Sequence, residues 1–143
     1  MSELHRRAVQ LLARREHSRA ELERKLAPHG AREEINLVLD ELAAAGLQSD
    51  RRFAEAWLRS HCERFGAARL RRELRDKGLA AELIENSMDE LGDDEEARAH
   101  DVWRRKFAVA PADARAWAKQ ARFLQGRGFD GDTIRKVLKR QSP

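Results

Sequence analysis

Apolar residues recur along the whole chain at the spacing of amphipathic helices, and short polar or glycine-containing segments separate the runs. Apolar positions three or four residues apart share one face of a helix, so each run predicts a helix with one buried side. The first helix is predicted from about Glu3 to Arg15. Ser18 and Glu21 then form a capping box that begins the second helix, and Gly46 ends the third.

The same pattern restarts after residue 48 and again after residue 92, so nine helices are predicted in total. Asp50 is the predicted N-cap of the fourth helix. The eighth helix is predicted from about Pro111 to Gln125, because proline suits the first helical position. Asp130 or Asp132 is predicted to cap the last helix.

The positions of leucine and glycine repeat along the chain. Leu22 and Gly30 recur 48 residues later as Leu70 and Gly78, and Gly78 recurs 50 residues later as Gly128. One position breaks the rule, since Gln120 stands where the repeat calls for leucine. The sequence therefore predicts an all-α chain of three three-helix modules of the helix-turn-helix type, at residues 1–48, 49–92 and 93–143. Modules this short are marginal alone, so neighbours are expected to stack into an elongated tandem array, curved or straight.

Composition narrows the class of protein. The chain has 143 residues and one cysteine, Cys62, which excludes an internal disulfide framework and a cysteine-based zinc site. No apolar run approaches the ~18 residues of a membrane span, and the first residues lack the apolar region of a secretory signal. We therefore expect a cytoplasmic protein that does not enter membranes, and we expect a monomer.

Positive and negative charges are segregated, although the net charge is only +4. Residues 64–77 carry six basic side chains against two acidic ones, and residues 115–140 carry eight against two. Residues 31–50 carry one basic side chain against five acidic, and residues 79–96 carry eight acidic and no basic ones. Basic helices of one module packing near acidic helices of the next would explain this pattern. Repeated basic edges would instead form an extended positive strip for an elongated, phosphate-rich or acidic partner.

No sequence pattern in the chain supports a catalytic site or a cofactor site once its neighbouring residues are considered. Residues 126–131 match the letters G-x-G-x-x-G, but a helix rather than a strand precedes them, which favours a helix end and a turn over a dinucleotide site. The histidines have no metal-ligand spacing and are expected at the surface or at caps. Cys62 is expected to be a buried structural thiol, and Trp57 and Trp103 are expected in the core. No catalytic residue, cofactor or metal is predicted.

Four segments resemble motifs of the RecX family, the regulatory proteins of RecA recombinase. They are the opening segment at residues 11–26, a linker at 47–54, a central basic helix at 66–78, and a segment near the end at 122–129. The four segments follow the family's order and cover nearly the whole chain. The resemblance implies three three-helix modules and a non-enzymatic cytoplasmic protein that binds RecA and the RecA–DNA filament. It further implies inhibition of RecA's ATPase, strand-exchange and coprotease activities, and hence control of homologous recombination and the SOS response.

The family supplies no fixed catalytic residues, so the candidate contacts depend on the charge pattern. We expect basic side chains on each module to contact nucleic-acid phosphates or acidic groups of RecA. The candidates are Arg14, Arg15, Arg51, Arg52, Arg69, Arg72, Arg75, Lys77, Arg122, Arg127, Lys136 and Lys139. Two other functions remain open at this point, namely a stand-alone module that binds single- or double-stranded DNA and a helical scaffold for an unrelated partner.

Overall fold

The structure, a computed structural model, describes residues 2–92 and 94–141, and all regular structure within these ranges is helical. The helices are α1 (Glu3–Arg14), α2 (Arg19–Leu26), α3 (Arg32–Ala44), α4 (Asp50–His61), α5 (Ala67–Asp76), α6 (Ala81–Leu91), α7 (Glu95–Lys106), α8 (Ala114–Gly126) and α9 (Gly131–Gln141). A short 3₁₀ turn, Ala27–His29, follows α2. The prediction of an all-helical chain is confirmed. Residues 1, 93, 142 and 143, which the predicted module boundaries include, lie outside the described residues.

The described residues form two compact units. Unit 1 holds residues 2–57 and 74–87, and unit 2 holds residues 58–73, 88–92 and 94–141. Helices α4, α5 and α6 contribute residues to both units, so the boundaries of the three sequence modules remain predictions. The longest helices, α3 and α8, have 13 residues, and no helix within the described ranges has the length and apolarity to cross a membrane.

Each unit has its own apolar core, built from the positions that the helical spacing predicts. In unit 1 the core is formed by α1, α2 and α3 through Leu4, Ala8, Leu22, Leu26, Ile35, Val38, Leu39 and Leu42. In unit 2 it is formed by α7, α8, α9 and the turn before α9 through Ala99, Val102, Trp103, Leu124, Phe129, Ile134, Val137 and Leu138. Burial of these side chains is the main favourable contribution to the stability of each unit.

The capping box at the start of α2 is present as predicted. The Ser18 hydroxyl accepts a hydrogen bond from the Glu21 backbone N–H at 3.1 Å, and the Glu21 carboxylate accepts one from the Ser18 N–H at 3.0 Å. Arg15 pairs with the same carboxylate at 2.8 Å. Burial alone would raise the pKa of the Glu21 carboxyl, but these donors hold that pKa below its usual value. The box therefore keeps a charged acceptor at the helix start.

In unit 1, the end of α5 is joined to the start of α2 by a close contact. The Ser18 hydroxyl donates a hydrogen bond to the Lys77 carbonyl oxygen at 2.8 Å. The next residue, Gly78, has φ +85°, and a Cβ atom there would lie 2.4 Å from the Cβ of Ala20. Glycine is required here both for the left-handed backbone and for the close approach.

In unit 2, the end of α8 is joined to the start of α5 in the equivalent way. The Gly66 N–H donates to the Arg127 carbonyl at 2.8 Å, and the Ala68 N–H donates to the Gly128 carbonyl at 3.3 Å. Gly128 has φ +96°, and a Cβ atom there would lie 2.3 Å from the Cβ of Arg69. These carbonyls satisfy N–H groups that the first turn of α5 leaves without intrahelical partners. The glycines of residues 126–131 thus include one that shapes this contact.

Two predicted helix starts differ from the structure. Asp50 is the first residue of α4, and Ser49 caps that helix through a bond from the Arg52 N–H to its hydroxyl at 3.1 Å. The Asp50 carboxylate instead accepts from the Arg19 N–H at 2.8 Å and so caps α2. Helix α8 begins at Ala114 rather than near Pro111, because the Asp113 carboxylate caps it. The last helix is capped by Asp130, one of the two predicted residues.

Gln120 replaces the leucine of the repeat because its side chain makes two hydrogen bonds inside unit 2. Its side chain is only 7% exposed. The Gln120 side-chain oxygen accepts from the indole N–H of Trp103 at 2.7 Å, and its amide nitrogen donates to the Val109 carbonyl at 3.1 Å. A leucine at this position would leave the buried indole donor without a partner, which costs more than the leucine would gain in packing.

Three predictions about burial need correction. Cys62 and Trp57 are only partly buried, and Cys62 lies just beyond His61, the last residue of α4. Trp103 is buried, as predicted. His17, expected at the surface or at a cap, directly precedes the Ser18 cap and is only 2% exposed. With its Nδ1 protonated, the ring donates to the Arg15 carbonyl at 3.0 Å, and Nε2 accepts from the Lys25 ammonium at 3.3 Å.

Stability is expected to fall when His17 is forced to take up a proton. Burial lowers the pKa of His17 below 6.5, and the nearby charges of Arg15 and Lys25 lower it further. Well above pH 6.5 the ring is neutral in both the folded and the unfolded chain, so His17 contributes no pH dependence there. As the pH falls below 6.5 the unfolded chain binds the proton first, and the free energy of unfolding decreases. Urea unfolding between pH 7.5 and 5 should show this decrease, and His17→Gln should reduce the slope.

Candidate anion-binding interface

Four basic side chains converge around one aromatic ring in unit 2. They line a cleft of about 320 Å³, formed by Arg64, Val102, Arg105, Lys106, Phe123 and Arg127. No acidic residue is among these lining residues. We call this site the basic cleft.

Two arginines of α7 hold the loop that supplies Arg64. Arg98 donates to the carbonyl oxygens of Cys62 and Phe65, and Arg105 donates to the Glu63 carbonyl at 2.8 Å. Carbonyl oxygens of an irregular loop need donors, and these guanidinium groups provide them. The loop between α4 and α5 is therefore attached to α7, and Arg64 is placed beside the end of that helix.

The end of α8 places Arg127 on the other side of the cleft. Arg127 is the C-cap residue of α8, and its guanidinium lies 5.2 Å from the centre of the Phe123 ring and 5.7 Å from that of Phe65. The Lys106 ammonium lies 5.4 Å from the Phe123 ring. Contacts of cations with aromatic faces hold the charged groups in place without neutralising them. Phe123 is itself packed edge-on against Phe107 at 5.4 Å.

A cleft with four cations and no lining carboxylate attracts anions. Arg64, Arg105 and Lys106 are exposed, and Arg127 is half-buried. Guanidinium groups bind phosphate and carboxylate oxygens with two parallel hydrogen bonds, which favours an oxyanion of either kind. The described residues contain no group of three or more His, Cys, Asp or Glu side chains placed to hold a metal ion. The cleft is therefore suited to binding anionic groups.

Of the candidate residues in unit 2, the basic cleft contains only Arg127. Arg69 is already engaged within the unit. Its guanidinium lies 4.0 Å from the Phe65 ring centre, donates to the Gly126 carbonyl at 3.2 Å and pairs with Glu73 at 3.7 Å. The other candidates are exposed on α5, α8 and α9. These are Arg72, Arg122, Lys136 and Lys139.

In unit 1, acidic neighbours pair with several of the candidate residues. Arg15 pairs with Glu21 at 2.8 Å, Arg52 with Glu16 at 3.2 Å and Arg51 with Glu55 at 3.2 Å. Such pairs reduce the net positive charge available to a partner. The remaining candidates in this unit have different surroundings: Arg14 lines a small cleft with Arg7 and Lys25, Arg75 is exposed, and the Lys77 ammonium lies 6.0 Å from the Trp57 ring.

Three of the four cleft cations, Arg64, Arg105 and Lys106, are not among the candidates predicted from the sequence. A signal for two of them was present, because residues 104–106 form a basic run at the end of a predicted helix and directly precede Phe107. Basic residues at a helix C-terminus are also stabilised by the helix dipole. Their convergence with Arg127 depends on the packing of α7 against α8, which no local pattern shows.

Almost the whole chain matches domains of one known protein family. Residues 5–42, 49–88 and 93–138 match, respectively, the first, second and third three-helix domains of RecX. The chain belongs to the RecX family. Among its relatives, the regulatory protein RecX of Leptothrix cholodnii is 50% identical over 134 residues, covering 93% of this chain and 85% of that protein. The regulatory protein RecX of Chromobacterium violaceum is 46% identical over 136 residues, covering 94% and 88%.

Two solved structures share the RecX fold with this chain. One is a crystal structure of regulatory protein RecX, with a TM-score of 0.81 and 18% identity, covering 96% of this chain and 72% of that one. The other is RecX from Lactobacillus salivarius, with a TM-score of 0.81 and 19% identity, covering 97% and 94%. The family assignment predicted from four short motifs is confirmed, as is the organisation into three-helix domains.

Proposed function

We propose that this RecX family chain binds RecA and RecA–DNA filaments and inhibits RecA's ATPase, strand-exchange and coprotease activities. In this way it would modulate homologous recombination and the SOS response. The match of the chain to all three RecX domains carries the proposal. The relatives are named regulatory proteins, which supports a role without catalysis. We further propose that the chain acts in the cytoplasm.

The basic cleft supports the proposal in physical terms. A RecA–DNA filament presents DNA phosphates and protein carboxylates in a periodic arrangement, and the cleft offers four cations to such groups. Each exposed ion pair contributes only up to about 1 kcal/mol, so useful affinity needs several contacts made together. Linked contacts add up because, after the first forms, the others become intramolecular. Exposed basic residues outside the cleft, such as Arg72 and Lys136, would supply further contacts.

The direct test is RecA's ATP hydrolysis on single-stranded DNA, titrated with the full-length protein at two salt concentrations. We expect hydrolysis to be suppressed when the protein is equimolar with RecA or below. Suppression should weaken at the higher salt concentration, because salt screens exposed charges. Unchanged hydrolysis with a large molar excess of the protein over RecA would reject the proposal.

The absence of a carboxylate from the lining of the basic cleft also favours a second function, binding to DNA without RecA. That function predicts tight binding to DNA alone. If about four phosphates are contacted on a single strand, the logarithm of the binding constant should fall with the logarithm of the salt concentration with a slope near −3. Weak binding to free DNA together with strong binding to the filament would favour the RecA regulator.

A further inference from the structure

Helix α3 buries one apolar face in the core of unit 1 and exposes a different row of residues to solvent. Glu34, Leu37 and Glu41 lie three and four residues apart and therefore share one side of the helix. The Leu37 side chain is 64% exposed. The exposed Leu37 side chain therefore lies between two carboxylates on the same side of α3.

This stripe forms one wall of a groove in unit 1. The groove has a volume of about 660 Å³ and runs between α3 and the first residues of α1. The buried Leu4 and Val38 side chains also line it. We call this site the acidic groove. Its lining combines three apolar side chains, three carboxylates, two histidines and one serine: Ser2, Glu3, Leu4, His5, His29, Glu34, Leu37, Val38 and Glu41.

Two of the three carboxylates of the groove, Glu34 and Glu41, have no basic partner in the part of the chain that the structure describes. Within the described residues, the side chains of Glu34 and Glu41 form neither an ion pair nor a hydrogen bond. Neighbouring acids differ in this respect, because Asp40 pairs with Arg19 at 2.7 Å and Glu3 pairs with Arg6 at 3.0 Å. The negative charge beside Leu37 is therefore uncompensated and available to a cationic ligand.

We propose that the acidic groove binds a cationic amphipathic helix of a protein partner. An apolar side chain of that helix contacts Leu37 and Val38, and lysine or arginine residues about one turn away on either side pair with Glu34 and Glu41. Helices recognised in grooves present anchors at the same three- and four-residue spacing that the α3 stripe shows. Phosphate groups are disfavoured here, because carboxylates repel them. The groove lies in unit 1 alone, and its test needs neither RecA nor DNA, so the outcome is independent of the proposed function.

The test uses a fluorescent peptide of leucine and lysine, about four helical turns long, with its leucines on one face. Binding to the full-length protein is measured by fluorescence anisotropy. A second peptide of identical composition has its leucines spread around the helix. We expect the amphipathic peptide to bind at least about tenfold more tightly than the second peptide. Leu37→Ser should weaken the binding of the amphipathic peptide about tenfold, and Glu34→Gln with Glu41→Gln should weaken it and reduce its dependence on salt.

A matched control removes the same charge from another helix. Glu82→Gln with Asp89→Asn on α6 changes two exposed carboxylates and should leave peptide binding unchanged. Equal losses in the two double variants, or equal binding of the two peptides, would show general attraction to an acidic protein and overturn the proposal. Self-association of the protein alone, abolished by Leu37→Ser in sedimentation velocity, would also overturn it, because a second copy would then occupy the groove. Circular dichroism checks that each variant is folded.

Discussion

Replacing Arg64 and Lys106 together by glutamate is expected to weaken the inhibition of RecA's ATPase on the order of thirtyfold. The change removes two of the four cations of the basic cleft and places two carboxylates near Arg105 and Arg127. These new carboxylates would pair with the two remaining arginines in place of the partner's anionic groups. Two lost attractions and two new repulsions of roughly 0.5 kcal/mol each give about 2 kcal/mol. The measurement is the protein concentration that halves RecA's ATP hydrolysis.

A matched double variant separates the cleft from overall charge. Arg115→Glu with Lys119→Glu changes the net charge by the same amount on exposed positions of α8 outside the cleft. This variant should inhibit nearly as well as the unchanged protein, and both variants should retain the melting temperature. If the two variants lose inhibition equally, long-range charge rather than the cleft determines binding. If the Arg64 and Lys106 variant inhibits normally, the contact lies elsewhere.

Replacing Gly66 by alanine is expected to destabilise unit 2 by about 2–4 kcal/mol. A Cβ atom at this position would lie 2.4 Å from the Gly128 carbonyl oxygen and 2.6 Å from the Phe129 backbone nitrogen. Both are main-chain atoms, so they cannot rotate away as a side chain would. The two backbone segments must move apart, and the hydrogen bond from the Gly66 N–H to the Arg127 carbonyl is then lost. At roughly 3 °C per kcal/mol, the melting temperature should fall by about 10 °C.

Gly126→Ala is the control for this prediction, and the opposite sign is expected. Gly126 is the last residue of α8, and a Cβ atom there would meet no atom within 4 Å. Alanine in a helix is more stable than glycine by about 0.5–1 kcal/mol, so this variant should melt at the same or a slightly higher temperature. Equal destabilisation by both substitutions would show that the close approach of residues 66 and 128 is not what constrains Gly66.

The features of the fold that could be predicted were those that a few neighbouring residues determine. Ser18 and Glu21 form a capping box because both partners lie within one helical turn. The glycines at 46, 78 and 128 end helices because of their own backbone conformation. Asp50 was assigned to the wrong helix, because a carboxylate at a helix start can equally cap a helix 31 residues earlier in the chain. His17 was expected at the surface or at a cap. Its burial could not be predicted, because it depends on packing around the capping box and not on its neighbours in sequence.

The candidate interface was harder to predict than the fold. Charge segregation pointed to basic residues as the candidates. Folding pairs Arg15 and Arg52 with acidic side chains, and the Arg69 guanidinium lies against the Phe65 ring. The cleft cations come from three separate parts of the sequence, at residue 64, residues 105–106 and residue 127. Which of many arginines stay available to a partner depends on tertiary contacts, so counts of basic residues along the chain could not distinguish them.

The contact between the end of α8 and the start of α5 is made mostly by main-chain groups, and the Arg69 side chain adds one bond to the Gly126 carbonyl. The atoms that join are N–H and C=O groups common to every residue, with glycines where space is short. Such a junction places few demands on the side chains around it. Arginines and glutamates on the surface outside this contact can then be exchanged during evolution without disturbing the fold. The binding specificity of the protein can therefore change while its fold stays the same.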